Sequence, residues 1–117
     1  MCQLCSIYIN NRSNIIMESE FSYAIRDENY FGVIFIVSKN HKNNFFELSY
    51  NEQKDMNMMI KNCKYILDND LKPDGYNIKH SIGFWGGQRE NHCYAELIPR
   101  FAGDTPITEL GDRFKPL

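Results

Sequence analysis

A chain of 117 residues with a formal net charge of −2 has no electrostatic reason to seek nucleic acid or an anionic membrane surface. Its 43% hydrophobic and 14% aromatic residues argue for one packed domain rather than disorder. No apolar run approaches the roughly 20 residues that span a bilayer, and no basic segment followed by an apolar one opens the chain, so a cytoplasmic protein without a signal peptide is expected.

Cys2-Gln3-Leu4-Cys5 comes first. Four cysteines in a cytoplasmic protein suggest metal or free thiols rather than disulfides. The C-x-x-C spacing alone leaves redox chemistry, zinc binding and coincidence all open. Residues 6–16 mix isoleucine with Asn, Ser and Arg without a period and read as loop. Residues 21–26 alternate apolar and polar side chains, as a strand does, and end at the turn signal Asp27-Glu28-Asn29. Residues 33–37 form a continuous β-branched and aromatic run, the pattern of a buried central strand, followed by Ser38-Lys39-Asn40-His41.

The main helix starts at Ser49, where Ser49-x-x-Glu52 forms a capping box. Met56, Met59, Ile60, Cys63, Ile66 and Leu67 follow at helical spacing as one apolar stripe, with Cys63 a core residue. Asp68-Asn69-Asp70 ends the helix, and Pro73-Asp74-Gly75 turns the chain into two strand-like segments, 75–82 and 91–100. Between them lies Gly83-Phe84-Trp85-Gly86-Gly87-Gln88. In the second segment His92, Tyr94 and Glu96 at spacing two share one strand face, while Cys93, Ala95 and Leu97 give the other face an apolar surface suited to a core. Three aligned polar side chains beside a glycine turn form a candidate site. His80 reads as a solvent-facing strand residue. Residues 105–117 are polar and read as a surface extension after a domain of residues 1–104.

The glycine turn and the segment after it resemble the histidine triad (HIT) family. Gly87-Gln88, a three-residue gap, His92, then Leu97-Ile98 and Pro99-Arg100 follow the family's Gly-Gln, His-x-His-x-His and Pro-Arg frame without insertion. Tyr94 and Glu96 stand where the second and third triad histidines belong. Ala24-Ile25-Arg26-Asp27 resembles the family's strand ending in a ribose-holding aspartate. Ile36-Val37-Ser38-Lys39-Asn40-His41 resembles its strand ending in Pro-Lys-x-His, and Leu48-Ser49-x-x-Glu52 the start of its main helix. The family's Pro-Gly-His before the central strand is missing, which shortens the turn at Tyr30-Phe31-Gly32. Lys79 and Ser81 stand where glycine and a phosphate-binding residue are usual.

The resemblance implies an α+β fold, an antiparallel sheet of about five strands crossed by one main helix, and a homodimer. It also implies zinc. Members that bind it use a C-x-x-C, the histidine after the central strand and the first triad histidine, which are Cys2, Cys5, His41 and His92 here. Loss of two triad histidines beside retention of the ligating one favours a structural metal. For a nucleotide, the resemblance implies Asp27 at the ribose, Ser81 and Gln88 at the phosphate side, the glycine turn as a source of anion-binding amides, and Arg89 or the strand-end Arg100 as an offset to Glu96. Trp85 fits base stacking, a dimer contact or a cap on the core equally well.

The family's middle histidine is a nucleophile. A phenol has a reference pKa of about 10 and needs a base to act at neutral pH. Glu96 could supply one, roughly 7 Å along the strand from Tyr94, yet its charge opposes an incoming phosphate. Three functions follow: a zinc-stabilised, non-catalytic HIT-like protein with a nucleotide or other ligand; a nucleotide hydrolase or transferase using Tyr94 and Glu96; or an interaction protein without ligand.

Overall fold

The protein is described over residues 2–104 by a computed structural model; the expected extension, 105–117, lies outside the described residues. Five strands form one antiparallel sheet: β1 Ile15–Glu18, β2 Ser22–Arg26, β3 Ile34–Ser38, β4 Gly75–Lys79 and β5 Tyr94–Arg100, in the order β1-β2-β3-β5-β4. The strongest β-former, β3, lies at the centre, where both ladders bury its β-branched side chains. Its register sets Val37 opposite Tyr94 and Phe35 opposite Glu96, while β4 sets Lys79 opposite Glu96 from the other side.

Two helices cover the sheet. One, α1, spans Gln3–Asn10 and the other, α2, spans Tyr50–Asp70. The capping box at α2 is formed in full: the Glu52 amide donates to Ser49 Oγ at 3.2 Å and the Ser49 amide to Glu52 Oε1 at 2.9 Å. Met56, Met59, Ile60, Cys63 and Leu67 of α2 then pack on Ala24, Ile34, Ile36, Cys93, Ala95 and Leu97. On the opposite face a smaller cluster joins Leu4 of α1 to Tyr23, Ile25, Val37 and Tyr94. Strand alternation thus divides residues 93–97 between two cores, as their spacing requires.

The sequence reading missed α1. Residues 6–16 were expected as loop, yet they hold most of an eight-residue helix, a 3-10 turn at Arg12–Asn14 and the start of β1. So short a helix is marginal by itself; Leu4, Ile7 and Tyr8, on one side of it, gain their stability from the sheet. Its cap is a sulfur, Cys2 Sγ accepting the Cys5 amide at 3.3 Å, instead of the usual Ser or Asp oxygen.

His80 also departs from expectation. Tyr76, Ile78 and His80 share the α2 side of the sheet end, and the Tyr76 hydroxyl donates to Asp68 at 2.7 Å. The His80 ring lies 4.6 Å from that of Phe45, half-buried, with its Nδ1 buried and unpartnered. The shortened turn before β3 depends on Gly32, at φ +77°, where a Cβ would stand 2.8 Å from Pro99 and 2.9 Å from Leu71.

Candidate metal centre and adjoining cavity

Three separate pieces of chain meet at one end of the sheet. Past β3, the Lys39 amide donates to Phe21 at 2.8 Å, and the Cys93 amide donates to the Lys42 carbonyl at 2.7 Å. These bonds hold the loop bearing His41 beside the start of β5. The first turn of α1 brings in Cys2 and Cys5. His92 is 1% exposed and its Nε2 donates to the Ser38 carbonyl at 2.7 Å, which fixes the tautomer with a lone pair on Nδ1.

That lone pair faces the three other donors. His92 Nδ1 lies 3.1 Å from His41 Nδ1, 3.3 Å from Cys2 Sγ and 3.5 Å from Cys5 Sγ. His41 Nδ1 lies 3.3 Å from Cys5 Sγ and 3.5 Å from Cys2 Sγ, and all four atoms fall within 4.8 Å of one another. Metal–sulfur bonds of about 2.3 Å and metal–nitrogen bonds of about 2.0–2.1 Å give a tetrahedron with edges of roughly 3.3–3.8 Å. The five separations that involve a histidine nitrogen agree with those edges to a few tenths of an ångström, and the two sulfurs lie within 4.8 Å of each other. Burial pushes the Cys5 thiol above its ordinary value and the Cys2 sulfur adds to the push; a bound metal would supply the positive charge that a thiolate at this place needs. Burial pushes His92 below its ordinary value, and neutral imidazole is the form that ligates.

Next to this cluster, on the α1 side of the sheet, lies a cavity of about 590 Å³. Leu4, Ile7, Ile25 and Phe35 supply apolar walls, with Asp27, Arg89 and Tyr94 among its polar lining. Asp27 Oδ1 accepts the Asn29 amide at 2.8 Å. The Tyr94 hydroxyl accepts the Arg89 amide at 3.1 Å. Glu96, its side chain 8% exposed, has Lys79 Nζ at 3.9 Å and Arg89 Nη2 at 3.8 Å. Arg100 turns to Asp104 and Asn77 instead.

Of the residues singled out for a nucleotide, Asp27 and Arg89 come together at the cavity, with the catalytic candidate Tyr94 beside them. Ser81, Gln88 and Glu96 are outside its lining. Ser81 is buried, and Gln88 ties its own turn to the His41 loop: it accepts the Gly83 amide at 2.8 Å and donates to Asn43 at 2.6 Å and Glu90 at 2.8 Å. The glycine turn differs from the anion cradle its composition suggests. The amides of Gly83, Gly86, Gly87 and Gln88 all bond within the loop, because the 3-10 turn Phe84–Gly86 and the left-handed Gly87 fold it on itself. Sequence reasoning missed Lys79, the Ser38 carbonyl and the α1 wall. Lys79 meets Glu96 through the β4–β5 register, which only the folded sheet shows.

No family model matches the chain. A HIT-like protein of Methanocaldococcus jannaschii is 32% identical over 116 residues, covering 96% of this chain and 88% of that protein. The chain belongs to the HIT family. Solved HIT structures agree with its fold. A hypothetical histidine triad nucleotide-binding protein from Sulfolobus tokodaii superposes with a TM-score of 0.79 at 27% identity, over 99% of this chain and 76% of that one. A zinc-bound histidine triad family protein from Mycobacterium smegmatis superposes with a TM-score of 0.80 at 22% identity, over 89% and 78% of the two chains.

This HIT chain sets its four-donor cluster beside a phenol and a carboxylate on β5. The cluster is complete from protein donors alone. The carboxylate meets two cations, and the phenol oxygen meets a backbone amide.

Proposed function

We propose that this HIT protein is a zinc-stabilised, non-catalytic member whose cavity at Asp27 takes a ribonucleoside-bearing ligand. The observation that carries the reading is the close approach of Cys2 Sγ, Cys5 Sγ, His41 Nδ1 and His92 Nδ1. Two thiolates and two imidazoles suit zinc, and four protein ligands leave no open position for water or substrate, so the metal is structural. It clamps α1 to the β3 end and to β5. Reduced thiols at Cys2 and Cys5 accord with a cytoplasmic location.

The same geometry argues against turnover. Imidazole is nucleophilic near neutral pH, whereas a phenol needs a base. Glu96 lies 3.9 Å from Lys79 Nζ and 3.8 Å from Arg89 Nη2, and the Tyr94 hydroxyl is partnered by the Arg89 amide rather than by the Glu96 carboxylate. Ligand binding asks less: an apolar-walled cavity with a carboxylate at its edge offers a surface for a base and acceptors for ribose hydroxyls.

A melting experiment tests the reading. Chelation is expected to lower the melting temperature by on the order of 10–20 °C, corresponding to a few kcal/mol for a domain of this size. Added zinc should restore it and magnesium should not. A melting temperature indifferent to chelator would overturn the structural-zinc role.

A further inference from the structure

Cys2 is the N-cap of α1, and Cys5 is the third residue of that helix. These are the two positions whose side chains approach each other in a capping box. Cys2 Sγ accepts the Cys5 amide at 3.3 Å, which holds it over the first turn, and the two sulfurs lie within 4.8 Å of each other. Both cysteines are part-exposed and His41 beside them is exposed, so small solutes reach the pair from solvent. Cys63 and Cys93 are 0% and 1% exposed and sit in the α2 core, on the opposite face of the sheet. Gln3 and Leu4, the residues between the two outer cysteines, line the cavity.

We infer that Cys2 and Cys5 form a reversible oxidation site, where a hydroperoxide joins them in a disulfide and frees the metal. The change unties the cavity wall at Gln3 and Leu4 from the loop of His41 and the start of β5. The inference rests on the reading of the cluster as a zinc site and adds its regulation. One thiolate attacks a peroxide oxygen; the O–O bond breaks, the sulfur becomes a sulfenic acid, and hydroxide leaves. The second thiolate attacks that sulfur, the S–S bond forms, the S–O bond breaks, and a second hydroxide leaves. The two sulfurs give up two electrons, one peroxide accepts them, and two protons from solvent complete two waters. His41 and His92 then remain as the only donors of the cluster, too few to close a tetrahedron. Other ties outlast the change and keep the domain folded. Leu4, Ile7 and Tyr8 pack on the sheet, the Tyr23 hydroxyl donates to the Leu4 carbonyl, and the Cys93 amide donates to the Lys42 carbonyl at 2.7 Å. A part-exposed disulfide of this kind is open to thiol exchange, so a dithiol returns the two electrons and restores both ligands.

The test adds hydrogen peroxide in small excess to the zinc-loaded full chain and follows released zinc with a chromogenic dye. Peptide mass mapping reads the state of each cysteine, and amide hydrogen exchange reads α1. Complete loss of zinc is expected, with a Cys2–Cys5 disulfide, unmodified Cys63 and Cys93, and faster exchange across Gln3–Asn10 but not across Tyr50–Asp70. Dithiothreitol with added zinc should reverse every one of these changes. Zinc retained under peroxide overturns the switch and leaves the zinc site standing. Loss of zinc with sulfinic acid at either cysteine, or a loss that dithiothreitol does not reverse, is damage and also overturns it. Unchanged exchange across α1 after zinc is lost overturns the link to the cavity wall. Protein that takes up no zinc before peroxide is added refutes the zinc site itself, and the switch falls with it.

Discussion

Tyr94 and Glu96 carry the chemical distinction of this chain, and each is held by specific partners. The Arg89 amide occupies the Tyr94 oxygen, and Lys79 and Arg89 hold Glu96. No turnover of dinucleoside polyphosphates or nucleoside phosphoramidates is therefore expected. Nucleophile and general-base roles are typically worth roughly 10²–10⁴-fold each. Replacing both residues, Tyr94→His with Glu96→His, should raise a measurable hydrolysis rate from background if Asp27 still positions ribose. Turnover by the unmodified protein near the enzyme median of about 10 per second, lost in Tyr94→Phe, would make Tyr94 a nucleophile after all. At the metal, His92→Ala removes both a donor and the bond to Ser38, and zinc retention after dialysis should fall to near zero.

Among the elements, α2 was legible because its signals are local: a capping box, then one apolar stripe. The central strand was legible for the same reason, as an unbroken β-branched run. α1 was not, since its cap is a cysteine and its apolar face has meaning only against the sheet. The four clustered donors could be named because the HIT frame aligns them, although up to 90 residues separate them. The glycine turn misled because composition shows that amides can be exposed, not where they bond. The α2 cap offers a quantitative check. The Ser49 amide, first, and then Asn40 and the Ser49 hydroxyl hold the Glu52 carboxyl below its ordinary value, against an opposing effect of burial. A lowered carboxyl stabilises the fold above the unfolded value of 4.5, and that contribution is lost as pH falls through the folded value. Ser49→Ala should cost about 1 kcal/mol in urea unfolding at pH 7. Glu52→Gln should flatten the decline in stability below pH 4.5; an unchanged acid limb would remove Glu52 from the account.

For the molecule as a whole, the sheet ends at β4, and beside it Ile78, Phe84 and Trp85 are 58%, 82% and 95% exposed. An edge strand with adjoining apolar side chains invites a second sheet, so a homodimer is expected by light scattering at tens of micromolar; a monomer mass would refute it. Within one chain, Leu4, Ile7 and Tyr8 pack α1 on the sheet and the Tyr23 hydroxyl donates to the Leu4 carbonyl; on the proposed reading, zinc adds a further tie through Cys2 and Cys5. Zinc K-edge X-ray absorption on protein purified without chelator, with elemental analysis of the same sample, tests this most directly. The account predicts one zinc per chain with two sulfurs at about 2.3 Å and two nitrogens at about 2.0–2.1 Å. Substoichiometric zinc, or a shell in which a water oxygen replaces one of those four ligands, would contradict it.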